Sequence, residues 1–208
     1  FDPYTYFPHG APVGWTPFFD WLLSGIILIA GLGSPSQHLV DVIGAYFPVV
    51  LGAITIIPVY FIGKELFNRW AGFIAAGLIA VLPGEFLGRS TLGSVDHHVT
   101  ETLFTTVFFL FFFLAIKAAR RNRLTIDHIK NWNPAAVRAP LIYCLLAGIF
   151  LGIYLLSWVG GLLFVLIITC YFVFQFTIDH FRNENTEYLG ITGAVSLLAA
   201  LIISLPFM

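Results

Sequence analysis

The chain has 208 residues, of which 59% are hydrophobic and 10% are charged, and its formal net charge is −1. Soluble domains carry about 25% charged residues, so this composition excludes an ordinary soluble protein and indicates an integral membrane protein. No basic stripe runs through an exposed aromatic segment, and the sequence therefore predicts no nucleic-acid partner. The two cysteines, Cys144 and Cys170, both lie inside apolar runs and are interpreted as packing residues.

Residues 1–37 form the first predicted unit. Their apolar run, residues 18–33, is short for a span, contains Asp20, and has Trp15 and Trp21 near its start. Tryptophan is enriched at membrane–water interfaces. We therefore predict an interfacial helix that lies on, or dips into, the outer membrane surface. A full crossing of the bilayer is the alternative.

Six further apolar runs approach the length of about 20 residues that a membrane-spanning helix needs. The chain starts at Phe1 and ends directly after the last run, so we expect it to be part of a longer polytopic protein. The predicted fold class is an all-α, polytopic transmembrane helix bundle with an external interfacial helix. The predicted spans within the second unit, 38–208, lie at about residues 39–63, 70–88, 101–119, 140–157, 161–179 and 188–206.

The basic residues predict the orientation of these spans. If each run crosses once, nine of the ten Lys and Arg residues fall in gaps on one face, and only Arg89 falls on the other. Cytoplasmic loops carry an excess of Lys and Arg. We therefore predict a multi-pass cell-membrane protein whose loop 89–100 faces the extracytoplasmic side.

Ionisable side chains concentrate in residues 88–101, between two apolar runs. Such residues at a membrane boundary are costly to place and suggest a functional site. Asp96, His97 and His98 offer three potential metal ligands, and carboxylate with imidazole suits Mg²⁺ or, better, Mn²⁺. From spacing alone, the alternative is a polar loop in which Asp96 caps a helix that starts at Val99.

Two neighbouring charged residues, Arg89 and Glu101, also have structural interpretations. Arg89 could neutralise a phosphate or a carboxylate, or it could pair with Glu85 one helical turn earlier. Glu101 falls in the first turn of the next predicted helix, where a carboxylate favours the helix dipole. The sequence therefore favours a structural role for Glu101.

Residues 88–98, Gly-Arg-Ser-Thr-Leu-Gly-Ser-Val-Asp-His-His, resemble the second acidic motif of oligosaccharyltransferase catalytic subunits in its archaeal Asp-x-His form. Two further segments carry the same resemblance. Residues 1–15 are similar to the later half of the family's first external loop, and Ser-Trp-Val-Gly-Gly at 157–161 is similar to its Trp-Gly-Gly turn. The order and spacing of the spans also fit, so the resemblance covers essentially the whole chain.

The resemblance implies a GT-C-type, metal-dependent glycosyltransferase. Such an enzyme transfers an oligosaccharide from a dolichyl or polyprenyl phosphate or diphosphate carrier to the asparagine of an Asn-x-Ser/Thr sequon. The implied cofactor is Mn²⁺ or Mg²⁺, and the implied partners are the lipid-linked oligosaccharide, the acceptor protein or peptide, and the bilayer. By position in the motif, Asp96 and His98 correspond to metal ligands, with His97 as a weaker candidate. Arg89 and Trp158 correspond to substrate-binding residues, and Asp96 and Arg89 to catalytic ones.

The resemblance also implies that part of the machinery lies beyond this sequence. The family's first acidic motif would precede Phe1, and its external-loop glutamate and Trp-Trp-Asp sequon-reading motif would follow Met208. We therefore expect this chain alone to be inactive. Two rival interpretations are another GT-C polyprenyl-phosphate-sugar transferase and a membrane transporter. Transport would require ionisable residues deep within several spans, and the middles of these runs are nearly free of charge.

Overall fold

The computed structural model describes residues 8–10 and 16–207, and within them it contains helices and turns but no strand. Single 3₁₀ turns follow α7 and α9, at Val159–Gly161 and Leu205–Phe207. The α-helices are α1 (Phe18–Ala30), α2 (Gln37–Leu66), α3 (Arg69–Val81), α4 (Glu85–Arg89), α5 (His98–Arg121), α6 (Ile126–Lys130), α7 (Pro134–Leu155), α8 (Leu162–Phe181) and α9 (Glu187–Ser204).

Among the residues that the structure describes, five helical segments are long and apolar enough to cross a membrane, which confirms the prediction of an all-α membrane protein with several spans. Local capping explains where two helices start. The Ser36 hydroxyl accepts a hydrogen bond from the Leu39 N–H at the start of α2, and the Asn68 side chain accepts two at the start of α3. The five segments are Gln37–Leu66, His98–Arg121, Pro134–Leu155, Val159–Phe181 and Glu187–Phe207.

The third apolar run differs from the single helix expected over residues 70–88. It forms two helices, α3 and α4, separated by a break at residues 82–84. Pro83 explains the break, because a proline disfavours the helical conformation of the residue before it. Leu82 accordingly adopts an extended backbone with φ −67° and ψ 119°. The 13 residues of α3 span about 20 Å, against about 30 Å for the hydrocarbon core.

Helix α1 has 13 residues and is attached to one end of the bundle. The Phe18 N–H donates to the Leu156 carbonyl, at 3.1 Å, just after α7. The Phe18 ring also contacts Phe104 near the start of α5, with ring centroids 5.4 Å apart. Phe19 is buried against Phe47 of α2. Helix α1 therefore closes the end of the bundle where α5 begins and α7 ends.

Helices α5, α7 and α9 form the centre of the bundle through aromatic and small residues. Phe108 and Leu151 are fully buried in this core. Small residues allow α7 and α9 to approach closely, as in many membrane bundles. A Cβ atom added at Gly148 would lie 2.5 Å from both the Ser196 carbonyl oxygen and the Ala199 Cβ.

We expect Gly148→Ala to destabilise the bundle by about 1–3 kcal/mol, since the added methyl group forces α7 and α9 apart. The matched control is Gly190→Ala in α9, where nothing lies within 4 Å of the new Cβ and alanine favours the helix. Thermal unfolding of both variants in the same detergent measures the difference. Equal transition temperatures for the two variants would contradict the close approach.

Charged residues join the helices at the opposite end of the bundle. Lys117 Nζ lies 2.8 Å from Glu65 Oε2, and Arg120 Nη2 lies 2.7 Å from Glu184 Oε2. Asp179, which is fully buried, accepts hydrogen bonds from Gln175 and, at 2.6 Å, from the Tyr188 hydroxyl. These pairs hold the ends of α2, α5 and α8 beside the start of α9. The 24 residues of α5, about 36 Å, separate this basic end from His98.

Candidate functional site

The ionisable residues within positions 88–101, which we call the island, lie from the end of α4 to the first turn of α5. Backbone contacts hold this segment against α2. The Gly93 N–H donates to the Ala45 carbonyl at 2.9 Å. Gly93 has a φ of +84°, a conformation that favours glycine. Further along α2, Gly52 lies so close to Ser90 that an added Cβ would come within 2.6 Å of the Ser90 Cβ. These contacts fix the loop that presents Asp96.

Asp96 is the centre of the island. Its Oδ2 accepts a 2.7 Å hydrogen bond from Arg89 Nη1, and the same oxygen lies 3.8 Å from His98 Nε2. Its Oδ1 lies 2.8 Å from His97 Nδ1. One potential ligand atom from each of the Asp and His residues falls within 4.8 Å of the others. The structure thus brings the predicted residues Arg89, Asp96, His97 and His98 together.

The structure distinguishes between the alternative roles that the sequence allowed for Asp96 and Arg89. The Asp96 side chain does not cap α5: the helix begins at His98, and its N-cap residue is His97, which makes no side-chain capping bond. The predicted alternative for Arg89 is present, because its Nε lies 3.3 Å from Glu85 Oε2. Glu85 is 90% exposed while Asp96 is 27% exposed, so the Asp96 pair is the better shielded of the two.

Glu101 belongs to the island, although the sequence favoured a helix-start role for it. Its side chain is 12% exposed, and its Oε1 lies 3.0 Å from His97 Nε2 and 3.0 Å from His98 Nδ1. Within the part of the chain that the structure describes, no well-aligned hydrogen bond reaches this buried oxygen. The signal available in the sequence was spacing, since residues three and four apart share a helix face.

A cavity of about 420 Å³ opens beside Asp96 and His97. Trp158 also lines this cavity, so the structure places the predicted substrate-binding tryptophan in one cavity with Asp96 and His97, although 62 positions separate it from Asp96. Helix α1 adds Asp20 to the lining, a residue that the sequence did not place at the site. The remaining lining residues are Thr16, Phe19, Val95, Ser157 and Val159.

Other candidates from the sequence lie elsewhere. Asp2 and Trp15 fall outside the described residues. His9 lies in an exposed turn. Asp41 accepts a hydrogen bond from Gln37 at 2.8 Å on the exposed side of α2.

The sequence model of the family described as "Oligosaccharyl transferase STT3, N-terminal" matches residues 1–208. The chain belongs to this family.

Curated relatives agree with this assignment to the STT3 family. The chain is 35% identical over 208 residues to the dolichyl-monophosphooligosaccharide–protein glycotransferase AglB of Haloferax volcanii, covering 99% of the chain and 20% of that protein. It is 34% identical to the dolichyl-phosphooligosaccharide-protein glycotransferase 3 of Archaeoglobus fulgidus, covering 100% of the chain and 23% of that protein. The chain therefore spans about a fifth of the length of these relatives.

Solved structures of an STT3-family relative show the same fold. The archaeal oligosaccharyltransferase AglB of Archaeoglobus fulgidus, in complex with an inhibitory peptide and a dolichol-phosphate, matches with a TM-score of 0.85 at 33% identity. The match covers 100% of this chain and 23% of that one. A second structure of the Archaeoglobus fulgidus enzyme, a complex with Zn and sulfate, matches with a TM-score of 0.84 and covers 24% of that chain. Both confirm the membrane-helix architecture and the family resemblance.

Proposed function

We propose that this chain is the N-terminal membrane portion of an oligosaccharyltransferase. The complete enzyme would transfer an oligosaccharide from a dolichyl or other polyprenyl phosphate or diphosphate carrier to the asparagine of an Asn-x-Ser/Thr sequon. Membership of the STT3 family supports this activity over transport. The observation that carries the proposal is that Arg89 and His98 converge on Asp96, which lines a cavity together with Trp158.

The residues present fit a divalent cation, for which we propose Mn²⁺ or Mg²⁺. Asp96 Oδ2 and His98 Nε2 are 3.8 Å apart, too far for a hydrogen bond and close enough to share one ion. The buried Glu101 Oε1 beside them also lacks an aligned donor among the residues described. When bound, such an ion supplies Lewis-acid stabilisation of the charge that develops on a lipid phosphate leaving group.

The side chains of this chain have separate proposed roles. Asp96 and His98 would hold the ion, with His97 as a weaker candidate because both its nitrogens already lie within 3.0 Å of a carboxylate oxygen. Arg89 keeps Asp96 oriented and places a guanidinium where it can also meet the carrier phosphate. Trp158 would contact substrate from the cavity wall.

The membrane location follows from the carrier, whose isoprenoid tail stays in the bilayer while its phosphate reaches the surface. We propose that the island lies on the extracytoplasmic face of the cell membrane, and that the basic end around Arg120 lies in the cytoplasm. Helix α1, about 20 Å long, would lie at the outer interface rather than cross. The acceptor protein would then approach from outside.

The test is glycopeptide synthesis by the full-length protein with a dolichyl-linked oligosaccharide and a peptide that contains Asn-Val-Thr. We expect product with this peptide and none with a Gln-Val-Thr peptide. Chelation by EDTA should abolish synthesis, and added Mn²⁺ should restore it. Transfer of the sugar to a lipid or a free saccharide, with no glycopeptide, would instead support another GT-C transferase.

A further inference from the structure

Two adjacent histidines follow Asp96, and the surroundings of their nitrogens differ. His97 has both nitrogens close to carboxylates, with Nδ1 at 2.8 Å from Asp96 Oδ1 and Nε2 at 3.0 Å from Glu101 Oε1. His98 has only Nδ1 at such a distance, 3.0 Å from the same Glu101 oxygen. Its Nε2 faces Asp96 Oδ2 at 3.8 Å. The two rings lie side by side, with centroids 4.4 Å apart.

We propose that Glu101 is a positioning residue of the metal site, which holds His98 through Nδ1 so that Nε2 is directed at the ion beside Asp96. This inference rests on the proposed function, since it assumes that Asp96 and His98 bind a divalent cation. Its position in the first turn of α5 would not by itself imply that Glu101 takes part in metal binding.

The burial of the Glu101 carboxylate supports this role. A carboxylate that favours the helix dipole can remain exposed, as Glu187 does in the first turn of α9, where it also accepts a hydrogen bond from the Ile126 N–H. Glu101 is instead 12% exposed, and its Oε1 is fully buried. A buried carboxylate oxygen is costly unless a donor satisfies it. The nitrogen atoms that the structure places within 3.0 Å of Oε1 belong to His97 and His98.

The tautomer of His98 that metal binding requires also fits the position of Glu101. A neutral imidazole carries one N–H, and a carboxylate oxygen can only accept. A protonated Nδ1 lies 3.0 Å from Glu101 Oε1, to which it can donate once the ring is aligned, and it leaves the Nε2 lone pair facing Asp96, as metal binding requires. The opposite tautomer would direct the Nδ1 lone pair at a carboxylate oxygen 3.0 Å away. A carboxylate behind a ligating histidine fixes its tautomer and ring orientation in this way in many metal sites.

The helix supplies the geometry for this arrangement. Glu101 lies three residues after His98 and four after the N-cap residue His97, so its side chain is a neighbour of both imidazoles at the start of α5. Asp96 approaches the imidazoles from the preceding loop. The two carboxylates therefore lie on opposite sides of the imidazole pair, Asp96 towards the proposed ion and Glu101 behind the rings.

The test measures Mn²⁺ affinity in the full-length protein, by titration calorimetry or by the electron paramagnetic resonance signal of free Mn²⁺. We expect Glu101→Gln to raise the Mn²⁺ Kd about 10- to 100-fold, the usual effect of losing such a partner. The amide matches the carboxylate in size but can present its NH₂ group to Nδ1 and so no longer favours one tautomer. The ¹⁴N coupling of bound Mn²⁺ to an imidazole should weaken in the same variant.

The controls separate this role from helix stability. Glu187→Gln, the same change in the first turn of α9, should leave Mn²⁺ affinity within about twofold of the unmodified protein. Thermal unfolding without metal shows whether Glu101→Gln is folded. Unchanged Mn²⁺ affinity in folded Glu101→Gln overturns the role of Glu101, provided that Asp96→Ala has lost binding. Equal binding by the unmodified protein and Asp96→Ala overturns the metal site itself, and with it this inference.

Discussion

Glycopeptide synthesis should fall about 10³-fold or more when Asp96 is replaced by asparagine in the full-length enzyme. An amide is a poor ligand for Mg²⁺ or Mn²⁺ compared with a carboxylate, yet its carbonyl oxygen can still accept the hydrogen bond from Arg89. The variant therefore removes metal affinity with little change in packing. The measurement is initial rate against Mn²⁺ concentration, and partial recovery at high Mn²⁺ is expected.

Two companion variants make this result specific. His98→Ala should lose activity to a similar degree, because it removes the second proposed ligand. Asp41→Asn changes an exposed carboxylate of α2 that contacts Gln37 rather than the island, and should stay within about twofold of normal. Near-normal rates in both Asp96→Asn and His98→Ala would exclude these residues as ligands.

Arg89→Ala should lower kcat/KM for the lipid-linked carrier about 100-fold. Arg89 donates to Asp96 at 2.7 Å and is the one Lys or Arg residue in loop 89–100. Its loss removes both an orienting contact of Asp96 and a cation near the proposed phosphate position. Arg89→Lys should recover part of the rate, since it keeps the charge but loses the planar fork of donors. Mn²⁺ binding should persist in both variants, because Asp96 and His98 remain.

The matched control is Glu85→Ala. Glu85 also pairs with Arg89, at 3.3 Å, but its side chain is 90% exposed. Exposed ion pairs contribute about 0–1 kcal/mol, so this variant should remain near normal activity. If Glu85→Ala loses as much activity as Arg89→Ala, the pair with Glu85 is the important one and the assignment of Arg89 to Asp96 is wrong.

The membrane class and the positions of the five long apolar helices could be predicted from the sequence because hydrophobic length is a local property. The five long helices of the structure each fall on a predicted run. The structure differs from the prediction at the break between α3 and α4. Pro83 was a local signal for this break, but residues 70–88 are largely apolar and were predicted as one helix. The six-span topology and the outward face of the island stay predictions.

The burial of Asp179 could not be predicted from the local sequence. It is fully buried near the end of α8, and its partners include Tyr188 of α9 and Arg120 of α5, which is 59 positions earlier in the chain. In the sequence it appears only as one acidic residue near a polar gap. Its burial depends on which helices are neighbours, and hydropathy does not encode that.

Part of the island could be predicted from the sequence, and part depended on the tertiary structure. The sequence alone determined that Arg89, Asp96, His97 and His98 form one cluster of ionisable residues, because they lie within ten positions of one another. Only the tertiary structure decided that Trp158 and Asp20 line one cavity with Asp96 and His97, and that a buried oxygen of Glu101 lies 3.0 Å from a nitrogen of each imidazole. The physical reason is that composition fixes which segments leave water, whereas the direction of a side chain depends on the turn of its helix and on the neighbours against which that helix packs.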